Sequence, residues 1–261
     1  MAPIDRQEAI QKIREYGKWY HGFEILPGIW TEGEYNIGSV PEYLSSNFNI
    51  HDISGKRILD IATFDGGFAF GFEKMGAQVV ASDIIDQTRT GFLLAKNILN
   101  SSVEFFKISV YDLNSDQLGK FDYVHYSGLH YHLKHPVLAL EKINAVLKPN
   151  GIVFGHGTSG EYHYRTIIRF KWLDKKIRQY LNKLPIAYYL DGSFNNDPTN
   201  WFLFNDSCMK TMFIRAGFQP DFVKSKPATE FGHRSVCYFK CVRAKDPDQE
   251  YWPDSHKQIF S

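Results

Sequence analysis

Residues Arg57–Asp83 read RILDIATFDGGFAFGFEKMGAQVVASD, and the fold follows from how this stretch divides. Ile58, Leu59, Asp60 and Ile61 form the short apolar run of a buried parallel strand. Thr63, Phe64, Asp65, Gly66 and Gly67 make a glycine-bearing turn, and a helix pattern follows to Lys74. A second apolar run, Val79 to Ala81, closes at Asp83. The stretch is a β-α-β unit with an acid ending its second strand. A carboxylate there can accept from the two adjacent hydroxyls of a ribose. The turn exposes backbone N–H groups at a helix N-terminus, a place for an anionic ligand group. A dinucleotide site would need G-x-G-x-x-G. Ala62 and Phe64 stand where its first two glycines belong, and Phe64 would crowd a pyrophosphate.

Downstream, the alternation of strand and helix continues. A helix over 90–99 precedes a strand over 103–108, which ends in Val110-Tyr111-Asp112-Leu113. A fourth strand, Phe121 to Tyr126, runs into Ser127-Gly128-Leu129-His130-Tyr131-His132-Leu133. A helix from Pro136 leads through Lys148-Pro149-Asn150-Gly151 into a fifth strand, Ile152 to Gly155, with His156 at its end. Two last strands are expected near 218–224 and 235–243, after a helix over 206–216 stopped by Gly217. Strands alternating with helices imply a parallel sheet with right-handed crossovers, whose ligands bind at the carboxyl ends of the strands.

The rest of the chain divides around this half. Residues 1–54 hold a helix capped by Asp5 and an aromatic arm, Lys18 to Gly33, which reads as neither helix nor strand. Residues 55–243 form the α/β domain, with a helical cap inserted at about 156–205, and 244–261 form a tail. A net charge of +1 supplies no field to attract nucleic acid or membrane. No apolar run reaches the ~18 residues of a membrane helix. The N-terminus is charged and helical rather than a signal peptide, and Cys208, Cys237 and Cys241 lack paired spacing, so reduced thiols and a cytoplasmic protein are expected.

The acid-then-Gly turn around Asp60 and Gly66, and the Leu-Lys-Pro-Asn-Gly before a strand, resemble class I S-adenosylmethionine (SAM) methyltransferases, with Ala62 departing from the usual glycine. Trp19-x-His21, Thr31-x-Gly33, Gly128-Leu129-x-Tyr131-His132-Leu133 and Trp201-x-x-x-Asn205 resemble one branch of them. That branch includes the tRNA wobble-uridine 5-oxyacetic acid carboxymethyltransferase and uncharacterised relatives often assumed to act on small molecules. The resemblance implies a Rossmann-like, seven-stranded, mostly parallel sheet with its last strand antiparallel. It implies SAM as the cofactor, held by Asp60, Thr63, Phe64, Gly66, Asp83, Ile84, Tyr111, Asp112 and Ser127.

Methyl transfer to a hydroxyl needs alignment and a base, and histidine is the usual base near neutral pH. His132 and His130 are the candidates; two apart on a loop they would share one side, whereas on a helix they would diverge. Alternatively, His132 caps the following helix or bonds a backbone carbonyl. Trp19, Tyr20, His21, Tyr131, His156 and Tyr164 are expected to line the acceptor. A metal site is not expected from His130-x-His132-x-x-His135, because no cysteine or carboxylate completes it. The basic helix over 165–183 is a solvated cap helix, or a surface for RNA phosphate or anionic lipid. The expected function is O-methylation of a small molecule such as a sugar or secondary metabolite. The alternatives are modification of tRNA and a non-catalytic SAM-binding module.

Overall fold

The computed structural model describes residues 5–161, 171–194, 197–226 and 235–247. Seven strands form its central sheet: β1 (Arg57–Ile61), β2 (Gln78–Asp83), β3 (Glu104–Lys107), β4 (Phe121–Tyr126), β5 (Leu147–Thr158), β6 (Phe218–Lys226) and β7 (Val236–Arg243). Their order is β6-β7-β5-β4-β1-β2-β3. The first five pair in parallel, and β7 is antiparallel to both β5 and β6. This is the expected Rossmann-like sheet. The chain leaves β1 toward β2 on one side and returns as β4 on the other, so the topological switch point lies between β1 and β4.

The eight helices of the described residues are α1 (Arg6–Tyr16), α2 (Val40–Phe48), α3 (Gly67–Lys74), α4 (Phe92–Leu99), α5 (Ser115–Leu118), α6 (Pro136–Val146), α7 (Lys171–Leu181) and α8 (Asp206–Arg215). One face of the sheet packs Leu59, Val124, Val153 and Phe239 against α6 and α8. The other packs Ile58, Val79 and Phe154 against α2, α3 and α4. Side chains alternate across a strand, so Asp60, His125 and His156 share this second face with Ile58 and Phe154.

Three sequence expectations change. The fifth strand does not stop at Gly155: β5 runs to Thr158, because Tyr238, Cys237 and Val236 of β7 keep pairing with His156, Gly157 and Thr158. The arm is not without strands. His21–Gly22 pairs in parallel with Tyr35–Asn36, and Glu24–Leu26 pairs with Ile29–Trp30 around Pro27-Gly28. Between arm and sheet lies α2, unread in the sequence, capped by Ser39 with Pro41 in its first turn. The cap contributes α7 and an antiparallel pair, Ala187–Tyr189 with Phe202–Phe204. The segment Arg165–Phe170 of the expected basic helix lies outside the described residues.

Gly33 explains part of the Thr31-x-Gly33 motif. A Cβ built there would lie 2.1 Å from the His21 carbonyl carbon, so only glycine lets the arm fold back on itself. Thr31 closes the same turn: its hydroxyl donates to the His21 carbonyl at 2.7 Å and accepts from the Phe23 N–H at 2.9 Å. Gly33→Ala is expected to destabilise the protein by about 3 kcal/mol, the upper end for overpacking, measured as a lower urea midpoint.

Candidate active site

The turn after β1 is held under strain. Ala62 (φ 57°) and Phe64 (φ 51°) both adopt the left-handed conformation, which costs a non-glycine residue about 1–3 kcal/mol. Three hydrogen bonds oppose that cost. The Thr63 N–H donates to the Ser82 carbonyl at 3.1 Å, the Phe64 N–H to Asp83 Oδ2 at 3.0 Å, and the Thr90 hydroxyl to the Phe64 carbonyl at 2.8 Å. Gly66, at φ 86°, follows; a Cβ there would meet the Phe70 ring at 2.4 Å.

Asp83 ends β2, as expected. Its other oxygen accepts from the Ile85 N–H at 2.8 Å. Burial pushes its carboxyl up, partly offset by these backbone donors. Ionised, it keeps lone pairs for further donors. Ile84 beside it is 68% exposed, an apolar side chain at a strand end that a flat ring can cover. Asp112 is exposed on the turn Val110–Asp112, and the Tyr111 hydroxyl accepts from the His135 N–H at 3.1 Å. Ser127 follows β4 directly.

Asp60, only 2% exposed, is occupied by protein partners. Its Oδ2 accepts from the Thr63 hydroxyl at 2.7 Å, and its Oδ1 lies 2.6 Å from His125 Nδ1. An ionised carboxylate only accepts, so His125 donates from Nδ1 and its Nε2 carries the lone pair. That Nε2 lies 2.7 Å from Ser127 Oγ and 3.1 Å from the Tyr43 hydroxyl. Tyr43 in turn reaches His156 Nδ1 at 2.8 Å, and His156 Nε2 reaches the Tyr35 hydroxyl at 3.2 Å. Burial lowers His156 to about 3 and raises Tyr35 to about 12; it also pushes the Tyr43 phenol well up.

His125, Tyr43 and Tyr35 were missed in the sequence. A histidine inside the apolar strand FDYVHY was the available signal, since a buried imidazole needs partners. Its partner Asp60 stands 65 residues away, and only the β1–β4 register joins them.

The arm docks through Asp65, which is fully buried. Asp65 Oδ2 accepts from the N–H groups of Tyr20 and His21, each at 2.8 Å, and Oδ1 bonds His21 Nδ1. Tyr20 then lies over Phe64 and stacks toward Tyr35. Trp19 is not brought to the acceptor side. It is buried in the core, its indole donating to the Ile13 carbonyl at 3.0 Å. Tyr164 lies outside the described residues.

His130 and His132 do not share a side. They occupy a 3₁₀ turn, His130–His132, in which residues two apart diverge. His130 points inward: its Nε2 donates to the Thr158 carbonyl at 3.0 Å, and its buried Nδ1 has no partner among the described residues. Burial lowers it to about 4. His132 points toward the cap, with Nδ1 2.9 Å from the Thr199 hydroxyl. Thr199 spends its single proton on Asp197, at 2.6 Å, so it accepts from His132 Nδ1–H, and the basic nitrogen of His132 is Nε2. The Tyr131 carbonyl accepts from the Trp201 N–H at 2.7 Å. Asn205 caps α8 and bonds both Ile186 and Leu184, which accounts for its place after Trp201.

The residues at these strand ends suit a nucleoside with a charged amino-acid tail and no phosphate. A buried carboxylate stands beside an exposed apolar platform, and the strained turn presents phenylalanine where a phosphate loop would carry glycine. Fold and site together define a class I nucleoside-cofactor enzyme domain. Residues 33–220 match the family described as a methyltransferase domain. The chain belongs to that family and carries a SAM-dependent methyltransferase domain. It is 26% identical over 206 residues to a tRNA U34 carboxymethyltransferase of Campylobacter jejuni, a match covering 75% of this chain and 63% of that protein. The chain thus spans less than two thirds of the length of that relative. A ubiquinone biosynthesis O-methyltransferase of Xanthomonas oryzae is 28% identical over 113 residues, 43% of this chain and 46% of that one. In fold, the chain is similar to the N-terminal domain of EvdMO1 with SAH bound (TM-score 0.62, 16% identity, 93% and 98% covered). It is also similar to the 1,6-didemethyltoxoflavin-N1-methyltransferase of Burkholderia thailandensis (TM-score 0.56, 15% identity, 79% and 77% covered).

Two outcomes test the site. Asp83→Ala is expected to weaken SAM binding about 10–100-fold by calorimetry, the loss for one hydrogen-bonded charge; unchanged affinity would remove Asp83 from the site. Acid is expected to destabilise the fold through His130 and His156. Their folded pKa values, about 4 and about 3, lie below the unfolded value near 6.5, so the unfolded chain binds protons first. Stability is full above 6.5 and falls as pH drops below it, by about 2 kcal/mol per histidine at pH 5. Urea unfolding of wild type and His130→Gln at pH 8 and 5 reads this slope; equal slopes contradict it for His130.

Proposed function

We propose that the protein transfers the methyl group of SAM to an oxygen of a small molecule, with a histidine as general base. The observation carrying this reading is that both extensions of the chain are hydrogen-bonded to the carboxyl end of the sheet. The arm arrives at His156 through Tyr35, and the cap arrives at the turn after β4 through Trp201 and Thr199. Such a roof suits an acceptor that fits beneath it, with apolar walls and a few fixed polar groups. The arm brings aromatic rings to this end of the sheet, Tyr20 lying against Phe64 and Tyr35.

SAM supplies an electrophilic methyl group on a sulfonium, ready for in-line attack. The protein supplies alignment, exclusion of water and a place for the acceptor's proton. In this reading His132, its Nδ1 bonded to the Thr199 hydroxyl, holds an acceptor hydroxyl on the cap side. His130, bonded to Thr158 and enclosed by the core, keeps the strand end in shape.

The test is transfer of radiolabelled methyl from SAM to three probes: a catechol, a methyl glycoside and a tRNA transcript. Label is expected on one of the small molecules, with little dependence on salt. Label on tRNA alone, falling steeply with salt, would replace this reading with the tRNA one, to which the Campylobacter relative's name points. With the labelled small-molecule acceptor, His132→Ala is expected to lower turnover about 100-fold, the lower end for acid–base and positioning groups, while SAM affinity stays unchanged. Full activity would remove His132 from the site.

A further inference from the structure

The polar groups on the α2 side of the sheet form one unbroken chain. Its inner end is the carboxylate of Asp60, set in β1 at the base of the cofactor turn. Its outer end is Tyr35 on the arm, 44% exposed, whose hydroxyl reaches down to the buried His156. Tyr35, His156, Tyr43 and His125 follow one another at 3.2, 2.8 and 3.1 Å, and His125 meets Asp60 at 2.6 Å. Ser127 offers a parallel step, 3.2 Å from the Tyr43 hydroxyl and 2.7 Å from His125 Nε2.

The inner end sets the direction. Asp60 accepts, so His125 donates from Nδ1 and accepts at Nε2. Tyr43 donates its proton to that Nε2, directly or through Ser127, and its oxygen then accepts from His156 Nδ1–H. His156 Nε2 is left to accept from the Tyr35 hydroxyl. Every proton in the chain points toward Asp60, and the Tyr35 oxygen is left as the acceptor at the open end. This orientation uses each group within its donor and acceptor capacity.

We propose that this chain is the proton path of methyl transfer: the acceptor's hydroxyl proton enters at Tyr35 and is held at His125 beside Asp60. The inference rests on the O-methylation reading and names the base within it. As the acceptor oxygen attacks, its O–H bond breaks and the proton goes to the Tyr35 oxygen. The Tyr35 proton moves to His156 Nε2, the His156 Nδ1 proton to Tyr43, and the Tyr43 proton to His125 Nε2. The new O–CH₃ bond forms as the C–S bond breaks, leaving a neutral thioether, and the one proton released sits on a His125 imidazolium paired with the Asp60 carboxylate. After product leaves, the proton returns by the same path to solvent.

The middle of the chain is built to conduct rather than to store. Burial keeps the Tyr43 phenol from ionising and His156 from holding a second proton. Among these groups only His125 touches a carboxylate, its Nδ1 lying 2.6 Å from Asp60 Oδ1. In this account Tyr35 is the catalytic residue that meets the acceptor; His156, Tyr43, His125 and Asp60 act through it, and His132 orients the acceptor from the cap side.

Two readouts test the path, and one needs no acceptor. Long-range ¹H–¹⁵N imidazole spectra of the full chain saturated with S-adenosylhomocysteine are expected to show His125 and His156 each protonated at Nδ1 and bare at Nε2. A proton on Nε2 of His156 would turn its bond outward, break the path and overturn the proposal whether or not an acceptor has been found. For turnover, Tyr43→Phe keeps the ring that packs on Phe48 and Phe68 while removing the link. With the probe that accepts the methyl group, Tyr43→Phe and Tyr35→Phe are each expected to lower kcat about 100-fold, with the SAM dissociation constant unchanged. Wild-type kcat in Tyr43→Phe, with the variant folded and binding SAM, overturns the path. Failure of every acceptor probe counts against the O-methylation reading instead.

Discussion

A carboxylate taken out of water must be met by hydrogen bonds, and this site buries three: Asp60, Asp65 and Asp83. The surrounding architecture answers that demand. Asp60 draws His125 of β4 and Thr63 of the turn. Asp65 draws the backbone of the arm and the ring of His21. Asp83 draws Phe64 and Ile85. One partner left missing costs about 1–3 kcal/mol, and more for a charge. The arm, the turn and the switch point are thereby fixed relative to one another, and the strained backbone at Ala62 and Phe64 persists because it is held from several sides.

The two faces of the sheet divide the histidines. His130, on the α6 and α8 side, spends its proton on the Thr158 carbonyl and is packed among Tyr126, Phe204 and Phe239. His125 and His156, on the α2 side, are linked through Tyr43 and touch the arm. His132 stands at the carboxyl end of β4 with its tautomer set by Thr199 and Asp197. The arm precedes β1 and the cap follows β5, yet both are hydrogen-bonded to the carboxyl end of the sheet. Among the described residues no helix is long and apolar enough to cross a membrane.

The parts legible in the sequence were those written locally. The apolar run Ile58–Ile61, the glycines of the turn and the acid at Asp83 report strand, turn and second strand end within one short stretch, and the seven-stranded sheet followed from the alternation after it. What the sequence concealed depends on register or on distant pairing. Asp60 and His125 meet only because β1 and β4 pair at that level. Tyr43 sits on α2, whose Ser39 cap and Pro41 were visible signals left unread. His130 and His132 looked like companions on a loop, and a 3₁₀ turn separates them. Trp19 was expected to line the acceptor and is a core residue, because the arm folds back far enough to bury it against Gly91.

The proposed function requires that the carboxyl ends of β1, β2 and β4 hold SAM. Native mass spectrometry of the purified chain, followed by calorimetric titration with SAM, tests it most directly. A mass shift matching SAM or its demethylated product, or saturable heat on titration of the ligand-free protein, is expected. No retained ligand and no heat would contradict it, and would leave the buried acids of this turn without the role assigned to them.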